Sequence, residues 1–164
     1  MSLGKPVMPT VPDGASPLVG FREWSLRNPE DPAPELSSLF HPTVWPADRP
    51  LMAVCFRPMR WPYRAGPTHR EVPDDGCECG IYAYLDPDFE SLHGARGPKA
   101  RGIVAGWGRF VFGTNGWRSQ HARLVGLLEH SEHPEALRRV ADRFGVPVVS
   151  SLVDARIGLL DPAA

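Results

Sequence analysis

Three cysteines and one histidine form the most chemically specific pattern in this sequence. Cys77 and Cys79 make a C-x-C between two glycines, Cys55 lies upstream in a predicted strand, and His69 lies between them. Thiolate sulfur and imidazole nitrogen are the donors that zinc takes in tetrahedral structural sites. The spacing therefore predicts a structural zinc site whose candidate ligands are Cys55, His69, Cys77 and Cys79.

Coordination sets a condition on the backbone around the C-x-C. Zn–S bonds of ~2.3 Å place the sulfurs of one tetrahedron ~3.8 Å apart. Alternate residues of a flat strand stand about 7 Å apart, because each residue rises ~3.3 Å. The chain must therefore turn between Cys77 and Cys79, and the flanking Gly76 and Gly80 allow such a turn.

Three other interpretations of the thiols stay open. Cys55 can be a small buried packing residue, with Cys77 and Cys79 as thiols at the edge of a loop. Cys55 can also form a disulfide with one of the pair, although three cysteines in 164 residues favour a reducing compartment. A catalytic thiol is disfavoured, because the acidic residues between positions 71 and 78 oppose thiolate formation. The same acidic residues favour a divalent cation.

The near-neutral formal charge of -1 conceals three blocks of opposite sign. Residues 49–70 hold five arginines and no acid, residues 71–90 hold seven acids and no base, and residues 91–128 hold six bases and no acid. Aromatic residues interleave with both basic blocks. Arginine beside an exposed ring is typical of surfaces that bind phosphate and stack on bases. Adjacent blocks can also pair with one another across strands.

An anion-binding surface is predicted beside a hairpin at residues 113–116. The candidate ligand-binding residues are Arg109, Arg118, His121, Trp107 and Trp117. Arg109 projects among bulky apolar neighbours of its strand, so it needs either an acid or an anionic ligand as a partner. The sequence contains no phosphate-loop, dinucleotide, metalloprotease or nucleophile-elbow motif, so the catalytic residues, if there are any, stay unknown.

Several stretches are similar to a known family pattern; they are Cys55-Phe56, His69, Cys77–Ala83, Gly102–Gly108 and Gly116–Ala122. They resemble a family of small uncharacterised bacterial proteins with the pattern C…H-x-A-P…C-x-C-G-I-Y-A, followed by G-x-V-x-x-W-G and G-[YW]-R-A-x-x-A. The resemblance covers roughly residues 18 to 128, and its most specific part is C-x-C-G-I-Y-A. It implies a pattern of residues and no activity.

The elements that position these residues are mostly strands. Strand patterns cover residues 18–26, 51–56, 80–85, 101–112 and 117–127, and Asn115-Gly116 predicts a hairpin between the last two. A short helix is predicted to begin at Asp86-Pro87 and to stop at Gly94. Apolar residues at helical spacing predict an amphipathic helix from about Pro134 to Phe144. The expected fold is α+β, a mainly antiparallel sheet with one or two packed helices.

Length and composition limit the class of protein. The 164 residues predict a flexible arm at 1–17 and a single globular domain at 18–164. No apolar run approaches ~18 residues, and the N-terminus lacks a signal-peptide core, so a cytoplasmic location without a membrane partner is expected.

Two classes of function fit these observations. The first is a soluble, non-enzymatic binding or regulatory module with a structural zinc, whose partner is a protein, a small anionic ligand or nucleic acid. The second is an enzyme that acts on a small anionic substrate. Its pocket would be formed by Arg109, Arg118 and His121 beside the hairpin.

Overall fold

The computed structural model describes residues 17–40, 43–55, 71–91, 97–129 and 132–153. These ranges contain seven strands and one helix: β1 (Leu18–Arg27), β2 (Glu35–Ser37), β3 (Leu51–Met52), β4 (Ile81–Tyr84), β5 (Lys99–Phe112), β6 (Gly116–Leu128), α1 (Pro134–Phe144) and β7 (Val148–Val149). The predicted arm lies outside the described residues except for Pro17.

Four strands pair in a closed ring. β1 pairs with β5, β5 with β6, β6 with β4, and β4 returns to β1 through the single pair Phe21 and Tyr84. β2 extends the free part of β1, while β3 and β7 add to β6. All these pairs are antiparallel except β6 with β7. The mainly antiparallel α+β fold expected from the sequence is therefore observed.

β5 is buried on both faces, as its sequence of consecutive apolar residues indicates. Val104 belongs to the main core, together with Trp24, Phe110 and Trp117, while Ile103 belongs to a second cluster on the opposite face. The long β5–β6 hairpin is central to the core, because β5 packs beside β1 while β6 contacts β4 and α1.

α1 has the bounds that the sequence predicts. Leu137 and Val140 are buried in the main core, and the helix ends at Gly145 in the left-handed conformation. An apolar stripe of this kind packs a helix on a sheet. No helix within the described ranges is long and apolar enough to cross a membrane.

Two predicted elements differ from the structure. Residues 86–91 form no helix, because the Asp86 carboxylate accepts a hydrogen bond from Asp88 N (2.9 Å) and closes a tight turn instead; residues 92–96 lie outside the described part. The buried strand predicted at residues 51–56 is a two-residue edge strand. Met52 and Val54 are exposed, because only β6 lies beside this segment.

The hairpin predicted at residues 113–116 is confirmed. Gly113 N donates to Gly116 O at 2.8 Å, and Phe112 pairs with Trp117. Gly116 is the first residue of β6, where a Cβ would overlap the carbonyl of Ala83 on β4. Its glycine is therefore required by the close approach of β4.

A buried carboxylate joins β1 to β5. Glu23 is 5% exposed; it accepts hydrogen bonds from Ser91 Oγ (2.7 Å) and Arg101 Nε (3.0 Å), and Lys99 Nζ lies 3.4 Å away. Burial raises the pKa of Glu23, but the two hydrogen bonds and the charges of Lys99 and Arg101 outweigh it, so the net pKa is lowered. A carboxyl group with a lowered folded-state pKa stabilises the protein above its unfolded pKa of ~4.3, and this contribution is lost as the pH falls.

We expect Glu23→Gln to lower the free energy of unfolding at neutral pH by about 2 kcal/mol. This is less than for a fully buried pair, because Lys99 and Arg101 keep part of their hydration. The variant should also lose stability less steeply than the wild type below pH ~4. Urea unfolding at several pH values measures both effects. The control is Glu90→Gln, an exposed carboxylate next to Ser91; equal results for the two variants would contradict the prediction.

Candidate metal centre

The three cysteines lie where the chain leaves the edge of β6 and returns to it. After β3, Ala53 N donates to Gln120 O of β6 at 2.7 Å. β4 begins with Ile81 opposite Ser119, which is the next residue along β6. β3 and β4 therefore lie end to end on one edge of β6. The connection between them spans residues 54–80, and its two described ends, 54–55 and 71–80, meet at this point.

The cysteine sulfurs lie together where the two described ends of this connection meet. Cys55 comes from its first end, and Cys77 and Cys79 from its second. All three Sγ atoms lie within 4.8 Å of one another, and the Sγ atoms of Cys55 and Cys77 are 3.7 Å apart. The edge of a tetrahedral zinc–thiolate site is ~3.8 Å. The donor set and its spacing fit three of the four ligands of such a site.

The backbone bends on both sides of the C-x-C. Cys77 N donates to Asp74 O at 3.2 Å, and Gly76 N donates to Asp74 Oδ1 at 2.9 Å. Gly80 has a φ of 122°, a conformation that residues with a side chain rarely adopt, and a Cβ there would lie 2.9 Å from the Cβ of Pro73. The hydrogen-bonded turn thus precedes the C-x-C and the positive φ of Gly80 follows it, and between them the Sγ atoms of Cys77 and Cys79 come within 4.8 Å of each other.

Arg118 of β6 fixes the two loop cysteines through their backbone. Its Nη1 donates hydrogen bonds to the carbonyl oxygens of both Cys77 and Cys79, the second at 2.7 Å. A guanidinium that binds two carbonyls restricts the peptide planes on both sides of the C-x-C. The side chains of Cys77 and Cys79 are therefore held in place by the hairpin.

Arg109 of β5 holds the preceding part of the same loop. Its Nε donates to Pro73 O at 3.0 Å, and its Nη1 forms an ion pair with the carboxylate of Glu71. Arg109 thus has the acidic partner that its position in the strand requires. At this point, residues of the acidic block and of the second basic block pair with one another.

The electrostatic environment disfavours a reactive thiolate. Burial raises the pKa of the Cys79 thiol to about 11, and the neighbouring Cys77 and Cys55 add to the increase. A catalytic cysteine needs the opposite shift. None of the three cysteines is in a disulfide. Three thiols this close ionise together only when a cation balances their charge.

The other predicted site residues lie in three places. Trp107 and His121 stack on each other with ring centroids 5.7 Å apart. Trp117 is a core residue, and together with Arg118 it borders a cavity of about 340 Å³. Arg109 lies against residues 71–80, which we call the cysteine loop. His69 lies outside the described residues.

Two contributors to this region were not among the residues selected from the sequence. Tyr82 crosses from β4 to the loop, where its hydroxyl donates to Glu78 O at 2.6 Å. Its alternation with buried Ile81 and Ala83 indicates an outward-facing ring. Phe112 of β5 borders the same cavity and is 49% exposed.

No family model, no curated protein and no solved structure matches this chain.

Proposed function

We propose that this protein is a non-enzymatic binding module whose cysteine loop is held by a structural zinc ion. One observation carries the proposal: three sulfur atoms, from the two described ends of the connection between β3 and β4, lie within 4.8 Å of one another. Cys55, Cys77 and Cys79 are the assigned ligands. The fourth ligand predicted from the sequence, His69, lies outside the described residues.

Zinc accounts for the arrangement better than the other three interpretations do. A disulfide uses two sulfurs and leaves the third without a role. A packing role suits buried Cys55, but Cys77 and Cys79 are only partly buried and lie in a loop beside acidic residues. A nucleophilic role conflicts with the raised pKa of Cys79. A thiolate-rich donor set prefers zinc and other soft transition metals to magnesium or calcium.

The position of the site supports a structural role for the ion. The ion would join Cys55, which follows β3, to Cys77 and Cys79, which precede β4. A metal ion that binds only the folded chain contributes its binding free energy to folding.

The enzyme alternative has less support from the side-chain contacts. It requires Arg109, Arg118 and His121 to converge on one substrate. Arg109 is paired with Glu71 and Arg118 is bound to two carbonyls, while His121 stacks on Trp107. The two guanidinium groups therefore position the cysteine loop in this structure.

Metal analysis of protein purified without chelator tests the proposal. We expect one zinc ion per chain, and three cysteines that react with a thiol reagent only after the metal is removed or the protein is unfolded. Zinc content well below one equivalent, with three freely reactive thiols in the folded protein, would sink the proposal. Loading with cobalt provides a second readout, because thiolate-to-cobalt charge-transfer bands report sulfur ligation directly.

A further inference from the structure

A cavity lies beside the cysteine loop, at the turn end of the β5–β6 hairpin. Its volume is about 340 Å³, within the range of small-molecule sites. Four aromatic residues and one cation are among those that border it: Tyr82, Tyr84, Phe112, Trp117 and Arg118. Tyr82 and Phe112 are 46% and 49% exposed, so their rings are accessible from solvent. We call this cavity the hairpin cleft.

Arg118 takes part in both the cysteine loop and the hairpin cleft. Both of its hydrogen bonds to the loop use Nη1, so Nη2 and Nε are not committed to the loop carbonyls. Its Cζ lies 5.6 Å from the centroid of the Tyr82 ring. The guanidinium thus has a fixed position at the border of an aromatic surface.

The charge of Arg118 is not balanced by a carboxylate among the described residues. Arg101 and Lys99 have Glu23, and Arg109 has Glu71, whereas the partners of Arg118 are the loop carbonyls and the ring and hydroxyl of Tyr82. A guanidinium binds a carboxylate through parallel hydrogen bonds, which gives both affinity and orientation. The hairpin cleft therefore combines aromatic surface with one uncompensated positive charge.

We propose that the hairpin cleft binds a small aromatic carboxylate. The ligand ring packs against Tyr82, which is paired with Arg118 and so lies on the same face of the sheet, and its carboxylate accepts hydrogen bonds from Arg118. This inference rests on the proposed function, because it names the ligand class of the binding module. It also makes the cysteine loop relevant to binding, since the loop carbonyls hold the guanidinium where the carboxylate meets it.

Calorimetric titration with cinnamate and with its neutral amide tests the ligand class on the wild-type protein. We expect cinnamate to bind at least ~10-fold more tightly than cinnamamide, since a hydrogen-bonded charge pair is available only to the acid. If neither compound binds to protein with a full complement of zinc, or if both bind equally, the proposal is overturned.

Three variants assign the two parts of the site. Arg118→Lys retains the positive charge but loses the planar guanidinium that binds both oxygens of a carboxylate. It should weaken the binding of cinnamate ~10-fold and leave the binding of cinnamamide unchanged. Tyr82→Leu removes the ring on which the ligand packs and should weaken both compounds, whereas Tyr82→Phe keeps the ring, loses only the hydroxyl that donates to Glu78 O, and should leave both unchanged. An Arg118→Lys protein that binds cinnamate like the wild type contradicts the assignment.

Zinc content, measured for each protein, separates the two proposals. Selective binding of cinnamate by a protein without zinc would retain the cleft and reject the metal. Full zinc content without selective binding would do the reverse.

Discussion

Cys77→Ser is expected to cause a large loss of metal affinity, because it removes one of the three proposed sulfur ligands. Serine has nearly the same shape as cysteine, but its hydroxyl does not supply a thiolate. Even residues that only orient a metal ligand change affinity 10–100-fold, so loss of a ligand should weaken zinc binding by more than ~100-fold. Competition with a chromophoric chelator measures this affinity.

The same substitution should lower the melting temperature of protein prepared with zinc, because the ion stabilises only the folded chain. The wild type treated with a strong chelator should melt at nearly the same temperature as Cys77→Ser. Val54→Ser is the matched control, since Val54 lies next to Cys55 and its side chain is 53% exposed. Equal zinc content and equal melting temperatures for Cys77→Ser and Val54→Ser would reject Cys77 as a ligand.

Gly106→Ala is expected to cause a large loss of stability in the core. A Cβ at Gly106 would overlap the distal atoms of the Trp117 ring and would lie 2.9 Å from Ser119 Oγ. Trp117 is 2% exposed and packs edge-on against Phe110, so its ring has little space to move away. Overpacking of this kind costs typically 1–3 kcal/mol, and we expect about 3 kcal/mol from urea unfolding.

A double-mutant cycle attributes this loss to the ring. Trp117→Phe removes the atoms that the new Cβ would meet, so Gly106→Ala should cost less in the Trp117→Phe background, with a coupling of about 1–2 kcal/mol. Gly113→Ala is the control, because its Cβ would have 3.7 Å of clearance from the nearest backbone atom. Additive effects at Gly106 and Trp117 would show that the strain arises elsewhere.

The sequence was sufficient to predict the elements whose pattern is local. α1 follows from apolar residues at helical spacing and from Gly145, and the hairpin follows from the Asn115-Gly116 turn signal between two strand patterns. The helix predicted after Asp86 was wrong, because the same side chain that caps a helix also closes a turn. A short motif does not decide between these outcomes when no apolar stripe follows it.

The cysteine sulfurs of the candidate site could be predicted from the sequence, whereas the side chains that hold the cysteine loop in place could not. Cysteine is a rare residue type with few roles, so three of them within one segment indicated zinc before any contact was known. The roles of Arg109 and Arg118 depend on the packing of residues 71–80 against the β5–β6 hairpin. This is a tertiary arrangement, and it has no local signature in the sequence. Two arginines predicted to bind a ligand therefore proved to have partners within the chain.

The closed ring of strands also affects how the protein emerges during synthesis. β1 pairs with β5 from Leu18 to Ser25. The pair Leu18 and Gly106 joins residues that are separated by more than half the length of the chain. The ribosome releases β1 long before β5, so Phe21 and Trp24 leave the exit tunnel without the strand that later covers them. The β5–β6 hairpin, in contrast, forms from neighbouring residues as soon as it is released. Docking of β1 onto the β5–β6 hairpin then completes the ring. Until that moment the nascent chain presents the uncovered side chains of Phe21 and Trp24, on a part of β1 that has no paired strand, to chaperones and to other chains.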